Sequence, residues 1–148
     1  MRFVLVDSIR SLERGARVVA SRTVPHDEDY FQDHFPGFPV VPGVLLTEMM
    51  GQAAAKALDA ERRPRGKAML AKILSASFRQ WVRPGDEVVL HAEITANTER
   101  YANADCRAEV SGKVVAQATL FFTFVAPGTL SADFRDAVLD DFLARQPG

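Results

Sequence analysis

Cysteine and histidine are both scarce in this sequence of 148 residues. The single cysteine, Cys106, cannot form an intramolecular disulfide, and it cannot build a zinc site of several cysteines. One cysteine in a chain of this length favours a reducing compartment. The three histidines, His26, His34 and His91, include no pair at the close helical spacing of a zinc-protease motif, so we predict no metal site.

Long hydrophobic runs and a dominant charge are missing as well. No stretch approaches the ~18 apolar residues that a membrane helix needs. The N-terminal run at residues 3–6 is much shorter than the ~7–15 residues of a secretory signal core, so we expect a cytoplasmic protein without membrane association. The formal net charge of -1 argues against a dedicated nucleic-acid binder, which would be strongly basic.

What the sequence does contain is the composition of an ordinary globular domain, 47% apolar and 25% charged. At this length, folding buries roughly 68–70% of the surface of the unfolded chain, which is enough for a hydrophobic core. No repeat or low-complexity tract divides the sequence. We therefore predict one domain over residues 1–148, with a core of about 3–125 and a helical C-terminal extension at 126–148.

Hydrophobic periodicity predicts one long helix among several strands. The helix is 44–58, and protein must surround it because apolar residues cover its whole circumference. Residues 30–42 form a stiff loop with a proline at every third position from Pro36, and Pro42 suits the first helical position. The predicted strands are 3–6 paired with 16–24, then 68–78, 87–98, 100–110 and 114–125, with a two-residue turn at Ser111 and Gly112.

These elements predict an α+β domain in which an antiparallel sheet curls around the helix. Near the C-terminus, Phe134, Val138 and Phe142 recur every fourth residue, which predicts a short amphipathic helix. One helix cannot cover a whole sheet. We therefore expect two subunits to join edge to edge or face to face.

Glu48 is the anomalous residue of the long helix. The helix has only three polar side chains between positions 43 and 55, and two of them, Glu48 and Gln52, lie on one face at i, i+4. A buried carboxylate costs several kcal/mol unless it is protonated, hydrogen-bonded or open to a cavity. Because burial raises a carboxyl pKa, Glu48 suits a general acid, but a satisfied structural carboxylate fits the same pattern.

His34 and Gly43 supply two further groups that a reaction at a carbonyl requires. His34 lies in the stiff loop, and histidine suits proton transfer near neutral pH, although a lone loop histidine is more often a packing residue. The helix start at Gly43 presents unpaired N–H groups that can polarise a carbonyl oxygen. A base, an acid and such an amide describe proton abstraction next to a carbonyl, followed by loss of a protonated leaving group.

The run HFPGFPVVPGVLLTEMMGQAA, residues 34–54, resembles the active-site segment of the FabZ-type 3-hydroxyacyl-[acyl-carrier-protein] dehydratases. The match includes His-Phe-Pro-Gly, Pro-Gly-Val-Leu, the Glu fourteen residues after the His, and the Gln four residues beyond it. Residues 3–7, 78–86 and 112–116 look like the family's opening strand, later strand and last hairpin. The acidic segment from Ser131 onward has no counterpart in the family pattern, so we expect it to bear on assembly rather than chemistry.

The resemblance implies a hotdog fold and an activity without a metal or organic cofactor. His34 would remove the C2 proton of a (3R)-hydroxyacyl thioester, and Glu48 would protonate the departing hydroxyl, giving a trans-2-enoyl thioester and water. Gly43 would bind the thioester carbonyl, and Gln52 would orient Glu48. Phe35 and Val44 complete the expected substrate-binding set.

The resemblance also implies partners. The substrate would arrive on acyl carrier protein, and a homodimer, often assembled as a trimer of dimers, would build each site from His34 of one subunit and Glu48 of the other. Two alternatives stay open: a hotdog acyl-thioesterase, and a non-catalytic acyl-thioester-binding hotdog protein. The pathway also stays open between fatty acid synthesis and a specialised lipid or polyketide route.

The near-neutral net charge hides a basic cluster. Residues 61–83 contain seven Lys and Arg side chains against Glu61 alone. Acyl carrier proteins are acidic, so this cluster suits a carrier-docking surface with salt-sensitive pairs, and a solvated loop is the plainer interpretation. The candidate docking residues are Arg62, Arg63, Arg65 and Lys67.

Overall fold

The computed structural model describes residues 1–146, and this part of the chain folds into strands and helices in the predicted order. The strands are β1 (Ser8–Glu13), β2 (Arg17–Thr23), β3 (Lys67–Phe78), β4 (Glu87–Asn97), β5 (Ala102–Val110) and β6 (Lys113–Val125). Helix α1 (Gly43–Asp59) follows β2, and helix α2 (Ala137–Ala144) follows β6. Short 3-10 turns lie at Asp29–Gln32 and Pro127–Thr129.

The strands form one antiparallel sheet in the order β1-β2-β4-β5-β6-β3. β3 therefore lies at an edge and pairs only with β6, from Lys67 opposite Val125 to Phe78 opposite Ala116. The turn between β5 and β6 consists of Ser111 and Gly112, with φ of 53° and 77°. Two left-handed residues match the twist of a tight hairpin, so the predicted two-residue turn is confirmed.

Helix α1 lies against the inner face of this sheet and is buried over most of its circumference. Small residues on both surfaces let the backbones approach closely. On the helix these are Ala53, Ala54 and Ala57, and on the strands Ala92, Ala104, Ala108, Ala116 and Ala118, all buried. The predicted α+β architecture, a sheet wrapped around a long central helix, is confirmed, and it is the hotdog arrangement.

The first predicted strand is wrong. Residues 3–6 have no regular secondary structure and pair with no strand within residues 1–146, and β1 begins only at Ser8, opposite Ser21 of β2. Leu5 and Val6 are nevertheless buried in the core, which explains their apolar character. Pro42 is also displaced by one position, because α1 begins at Gly43 and the carbonyl of Pro42 accepts its first hydrogen bonds.

The edge strand β3 is the least covered element of the sheet. Its residues from Met69 to Phe78 are all exposed, and five of them are large and apolar: Met69, Leu70, Ile73, Leu74 and Phe78. An uncovered apolar edge strand offers unpaired backbone groups to another chain. β3 is thus the part of this fold that is best suited to contact a second subunit.

The C-terminal extension packs back onto the domain. Asp136 accepts a hydrogen bond from the backbone N–H of Leu139 and so caps α2, and its other oxygen lies 2.8 Å from Nζ of Lys56 on α1. Leu139 and Phe142 are buried, whereas Phe134 precedes the helix and is exposed. Residues 147–148 of the predicted extension lie outside the described residues. No helix within residues 1–146 is both long and apolar enough to span a membrane.

Candidate active site

The loop that carries His34 is closed by its own backbone. The N–H of His34 donates to the carbonyl of Tyr30 at 2.9 Å, and the N–H of Val40 donates to the carbonyl of His34 at 3.1 Å. The ring is half-buried, and its Nδ1 lies 3.1 Å from the carbonyl oxygen of Val40. Because a carbonyl only accepts, Nδ1 must carry the proton, which leaves Nε2 of the neutral ring free to act as a base.

Aromatic side chains support this loop on one side. The His34 ring stacks on Phe35, with centroids 4.0 Å apart and planes at 27°. Phe38 and Trp81 form a T-shaped pair with ring centroids 5.9 Å apart, and the Arg83 guanidinium lies 5.0 Å from the centroid of the Phe38 ring. Phe35, Phe38 and Trp81 are all exposed, Trp81 at 67%. The imidazole therefore borders an open aromatic surface rather than a closed apolar pocket.

The N-terminus of α1 leaves its first amide unpaired. Leu45 and Leu46 both donate to the carbonyl of Pro42, no side chain caps the helix, and within residues 1–146 nothing accepts from the N–H of Gly43. A Cβ at Gly43 would lie 3.2 Å from the Phe78 ring, so a glycine allows this ring to lie against the helix end. The free amide and the positive end of the helix dipole suit binding of a carbonyl oxygen.

Glu48 lies on the one stripe of α1 that the protein does not cover. This open stripe consists of the α1 residues that are not buried: Gly43, Val44, Leu45, Glu48, Gln52 and Asp59. Val44 is 75% exposed and adjoins the free amide of Gly43. Burial raises the pKa of Glu48, whereas the Gln52 amide and the Lys67 ammonium act to lower it. Glu48 therefore holds its proton to a higher pH than an ordinary glutamate, as a general acid requires.

The predicted site residues form two groups in the chain. Gly43, Val44, Glu48 and Gln52 share the open stripe of α1, and His34 and Phe35 lie in the preceding loop. Among residues 1–146, no hydrogen bond or ion pair joins His34 to Glu48, and no histidine is among the groups that shift the pKa of Glu48. Within one chain, His34 and Glu48 therefore lie on separate elements, the loop at 30–42 and helix α1.

Sequence reasoning missed two neighbours of these groups. The segment at residues 3–5 binds the Gln52 side chain through its backbone, as described below. The segment after β3 binds the His34 loop, since the N–H of Val41 donates to the carbonyl of Val82 at 2.7 Å and brings Trp81 to Phe38. Backbone contacts leave no mark in residue patterns, although Trp81, with Arg79 and Arg83 two positions away on either side, was a signal for the second.

The four candidate docking residues lie beyond the C-terminal end of α1, and each has an acidic partner. Arg62 pairs with Asp140, Arg63 with Glu99, Arg65 with Glu61, and Lys67 with Asp59. The Arg65 side chain is only 3% exposed and lies over the Phe124 ring at 3.9 Å. Arg62 is the most exposed of the four, at 57%.

Residues 1–119 match the FabA-like domain family, so the chain belongs to this family. Within the family it is similar to proteins named 3-hydroxyacyl-[acyl-carrier-protein] dehydratase FabZ, as the motif at 34–54 indicated. The Thiobacillus denitrificans protein is 42% identical over 125 residues, covering 82% of this chain and 86% of its own length. The Listeria monocytogenes protein is 38% identical over 121 residues, covering 81% and 84% of the two chains.

Solved structures agree on the fold. The E. coli PaaI protein from the phenylacetic acid degradation operon superposes with a TM-score of 0.64 at 17% identity, over 82% of this chain and 80% of that one. The dehydratase heterocomplex ApeI:P from Xenorhabdus doucetiae gives a TM-score of 0.63 at 15% identity, over 80% and 96%. At these identities the similarity supports the fold alone and carries no conclusion about the reaction.

Proposed function

We propose that this protein dehydrates a (3R)-hydroxyacyl thioester on acyl carrier protein to the trans-2-enoyl thioester, in fatty acid biosynthesis or a related lipid or polyketide route in the cytoplasm. The observation that carries the proposal is that the chain contains both a histidine whose Nε2 has no hydrogen-bond partner within residues 1–146 and a glutamate whose pKa is raised by burial. These are the two states that an acid–base elimination requires. The FabZ relatives support the same reaction.

The reaction would use each group once. The amide of Gly43 donates to the thioester carbonyl and makes the C2 proton more acidic. Nε2 of His34 takes that proton, the C2–C3 double bond forms, and the C3–O bond breaks. The Glu48 carboxyl gives its proton to the departing hydroxyl, which leaves as water. The imidazolium then loses its proton and the carboxylate regains one from solvent, so the protein returns to its starting state.

The functional unit in this proposal is a homodimer. The separation of His34 from Glu48 within one chain and the uncovered apolar edge at β3 both favour it. A second copy against β3 would cover the open stripe of α1 and bring its own His34 loop to Glu48. Sedimentation velocity reads whether such dimers assemble further into a trimer of dimers.

Purified protein tests the chemistry directly. With a 3-hydroxyacyl thioester, we expect enoyl thioester absorbance to grow without release of free thiol, and we expect His34→Ala and Glu48→Gln each to lose about 10²–10⁴-fold in kcat. Release of free thiol, read with a thiol-trapping reagent, would instead identify a thioesterase. Wild-type rates in both variants would show that the roles are assigned wrongly.

We also propose that the basic segment after α1 docks the carrier, chiefly through Arg62 and Arg63, because Arg65 is buried. Charge reversal at Arg62 and Arg63 should raise KM for carrier-bound substrate and spare a small thioester. Lys113→Glu is the control. Lys113 is exposed and begins β6, whereas Val125, which ends β6, pairs with Lys67 of the docking segment, so the two sites lie at opposite ends of this strand. Equal losses with both substrates would overturn this docking surface.

A further inference from the structure

The N-terminal segment is tied to the open stripe of α1 by one side chain. The N–H of Leu5 donates to Oε1 of Gln52 at 2.8 Å, and Nε2 of Gln52 donates to the carbonyl of Phe3 at 3.0 Å. The side-chain amide thus takes the place of a neighbouring strand for residues 3–5. This contact holds the segment against α1 although it pairs with no strand within residues 1–146.

The two contacts fix which end of the Gln52 amide is oxygen. A backbone N–H only donates and a carbonyl only accepts, so reversing the amide would break both bonds at once. Oriented in this way, the amide retains one free N–H hydrogen on Nε2. Glu48 lies one helical turn before Gln52 on the same open stripe, where i, i+4 side chains meet.

We propose that the backbone of residues 3–5 is a positioning element for Glu48: by fixing the orientation of the Gln52 amide, it keeps an N–H donor directed at the carboxyl group. This inference rests on the role of Glu48 in the proposed function, and it assigns a task to a segment outside the motif at 34–54. Gln52 is the positioning residue, and Phe3 and Leu5 act on it through their backbone atoms alone.

A donor and an acceptor have opposite effects on a carboxyl group. A donated N–H stabilises the carboxylate, whereas a carbonyl oxygen in the same place would stabilise the protonated acid. Burial raises the pKa of Glu48, and the neighbouring Gln52 side-chain amide and the charge of Lys67 on β3 both act to lower it. Within residues 1–146, these are the groups that act on Glu48. The amide orientation therefore limits how firmly Glu48 holds the proton that it must release.

The test compares two substitutions at one position. Leu5→Ala removes the buried side chain and keeps the N–H, whereas Leu5→Pro removes the side chain and the N–H together. Gln52→Leu removes the donor completely at similar volume. The titration of Glu48 is followed by 13C NMR on protein labelled at the glutamate side-chain carboxyl carbon, with assignment from Glu48→Gln.

We expect the Glu48 midpoint in Leu5→Ala to match the wild type, and the midpoints in Leu5→Pro and Gln52→Leu to move upward, Gln52→Leu the furthest. The alkaline limb of kcat/KM should move in the same direction. Equal midpoints in Leu5→Pro and Leu5→Ala would overturn the inference. If Leu5→Pro does not fold, a chain with the α-hydroxy analogue of leucine at position 5 removes the same N–H and retains the side chain.

This readout separates the inference from the proposed function. The NMR titration needs no turnover, so a shifted Glu48 in a protein without dehydratase activity would support the positioning element and contradict the reaction. An active dehydratase whose Glu48 has the same titration midpoint in every Leu5 variant would support the reaction and contradict the positioning element. A purely structural role of residues 3–5 would lower the Tm of Leu5→Ala and Leu5→Pro and leave both midpoints unchanged.

Discussion

Nδ1 of His34 lies 3.1 Å from the carbonyl oxygen of Val40, six residues further along the chain, and the N–H of Val40 donates back to the carbonyl of His34 at the same distance. These two bonds set the ring orientation from within the loop, and no carboxylate within residues 1–146 binds the ring. The prolines at 36 and 39 reduce the conformational entropy that the loop loses on folding. The His34 ring, which we propose as the base, is therefore oriented by the loop itself.

This geometry predicts the tautomer of the free enzyme. In the neutral ring we expect His34 to carry its proton on Nδ1, because the Val40 carbonyl accepts from that atom. Long-range 15N–1H NMR spectra of 15N-histidine-labelled protein distinguish the two tautomers, and His34→Ala identifies the signal. A proton found on Nε2 would mean that the nitrogen proposed as the base is already occupied.

The raised pKa of Glu48 predicts a gain in stability when its charge is removed. A carboxyl group whose pKa is higher in the folded state stabilises the fold below its unfolded pKa, and this contribution is lost as the pH rises through the folded value. Glu48→Gln should therefore have a higher Tm than the wild type at pH 8 and an equal Tm at pH 4. The gain is about 2–4 °C for each kcal/mol of relieved penalty.

The matched control for this experiment is Glu93→Gln, which removes the charge of an exposed carboxylate on β4. Both variants are melted at one protein concentration by circular dichroism. A pH-dependent gain in both would mean that net charge, not burial of Glu48, causes the effect. A gain in Glu48→Gln together with lost turnover is the trade-off expected of an active-site residue.

The proposed composite site predicts complementation between two inactive variants. In a hybrid of His34→Ala with Glu48→Gln, one site has lost both groups and the other has regained both. If subunits mix at random, half of the dimers are hybrids with one working site, so co-expression should restore about one quarter of wild-type activity. The activity is measured with the two variants carrying different affinity tags, so that hybrids can be purified.

Complementation has a clear opposite outcome. If each site draws both residues from one chain, every hybrid stays inactive at any mixing ratio. Homodimers of each variant, purified through the same two tags, provide the baseline for this comparison.

The sequence was informative where burial alone decides the structure. Helix α1 was predicted within one residue at each end because its apolar circumference allows no other element, and Glu48 was conspicuous because a charge is costly there. Residues 3–6 were misassigned because an apolar run looks like a strand whether its backbone binds another strand or the side chain of Gln52. That contact spans 47 positions, and no local pattern encodes it.

The sequence was least informative about charges with several available partners. The segment at 61–67 appeared as a positive surface because its neighbours in sequence are basic. In the fold, Arg62 meets Asp140 of α2 and Arg63 meets Glu99 after β4, both distant in sequence. The local net charge therefore overstates the unpaired positive charge of this segment, because two segments distant in sequence bring acidic partners to it.

The Lys56–Asp136 pair predicts how firmly the C-terminal extension is held. The two side chains are 9% and 17% exposed and 2.8 Å apart, so Lys56→Met leaves a nearly buried carboxylate without its partner. We expect this variant to lose about 3 kcal/mol in the free energy of unfolding. Asp136→Asn in the Lys56→Met background should restore part of the loss, because the unpaired charge is then gone while the side-chain oxygen that caps α2 remains.

The exposed pair of Arg62 and Asp140, also 2.8 Å apart, is the matched control, and Arg62→Met should cost less than about 1 kcal/mol. Urea denaturation measures the three variants against the wild type, and equal losses in Lys56→Met and Arg62→Met would contradict a buried ion pair that holds the extension to α1.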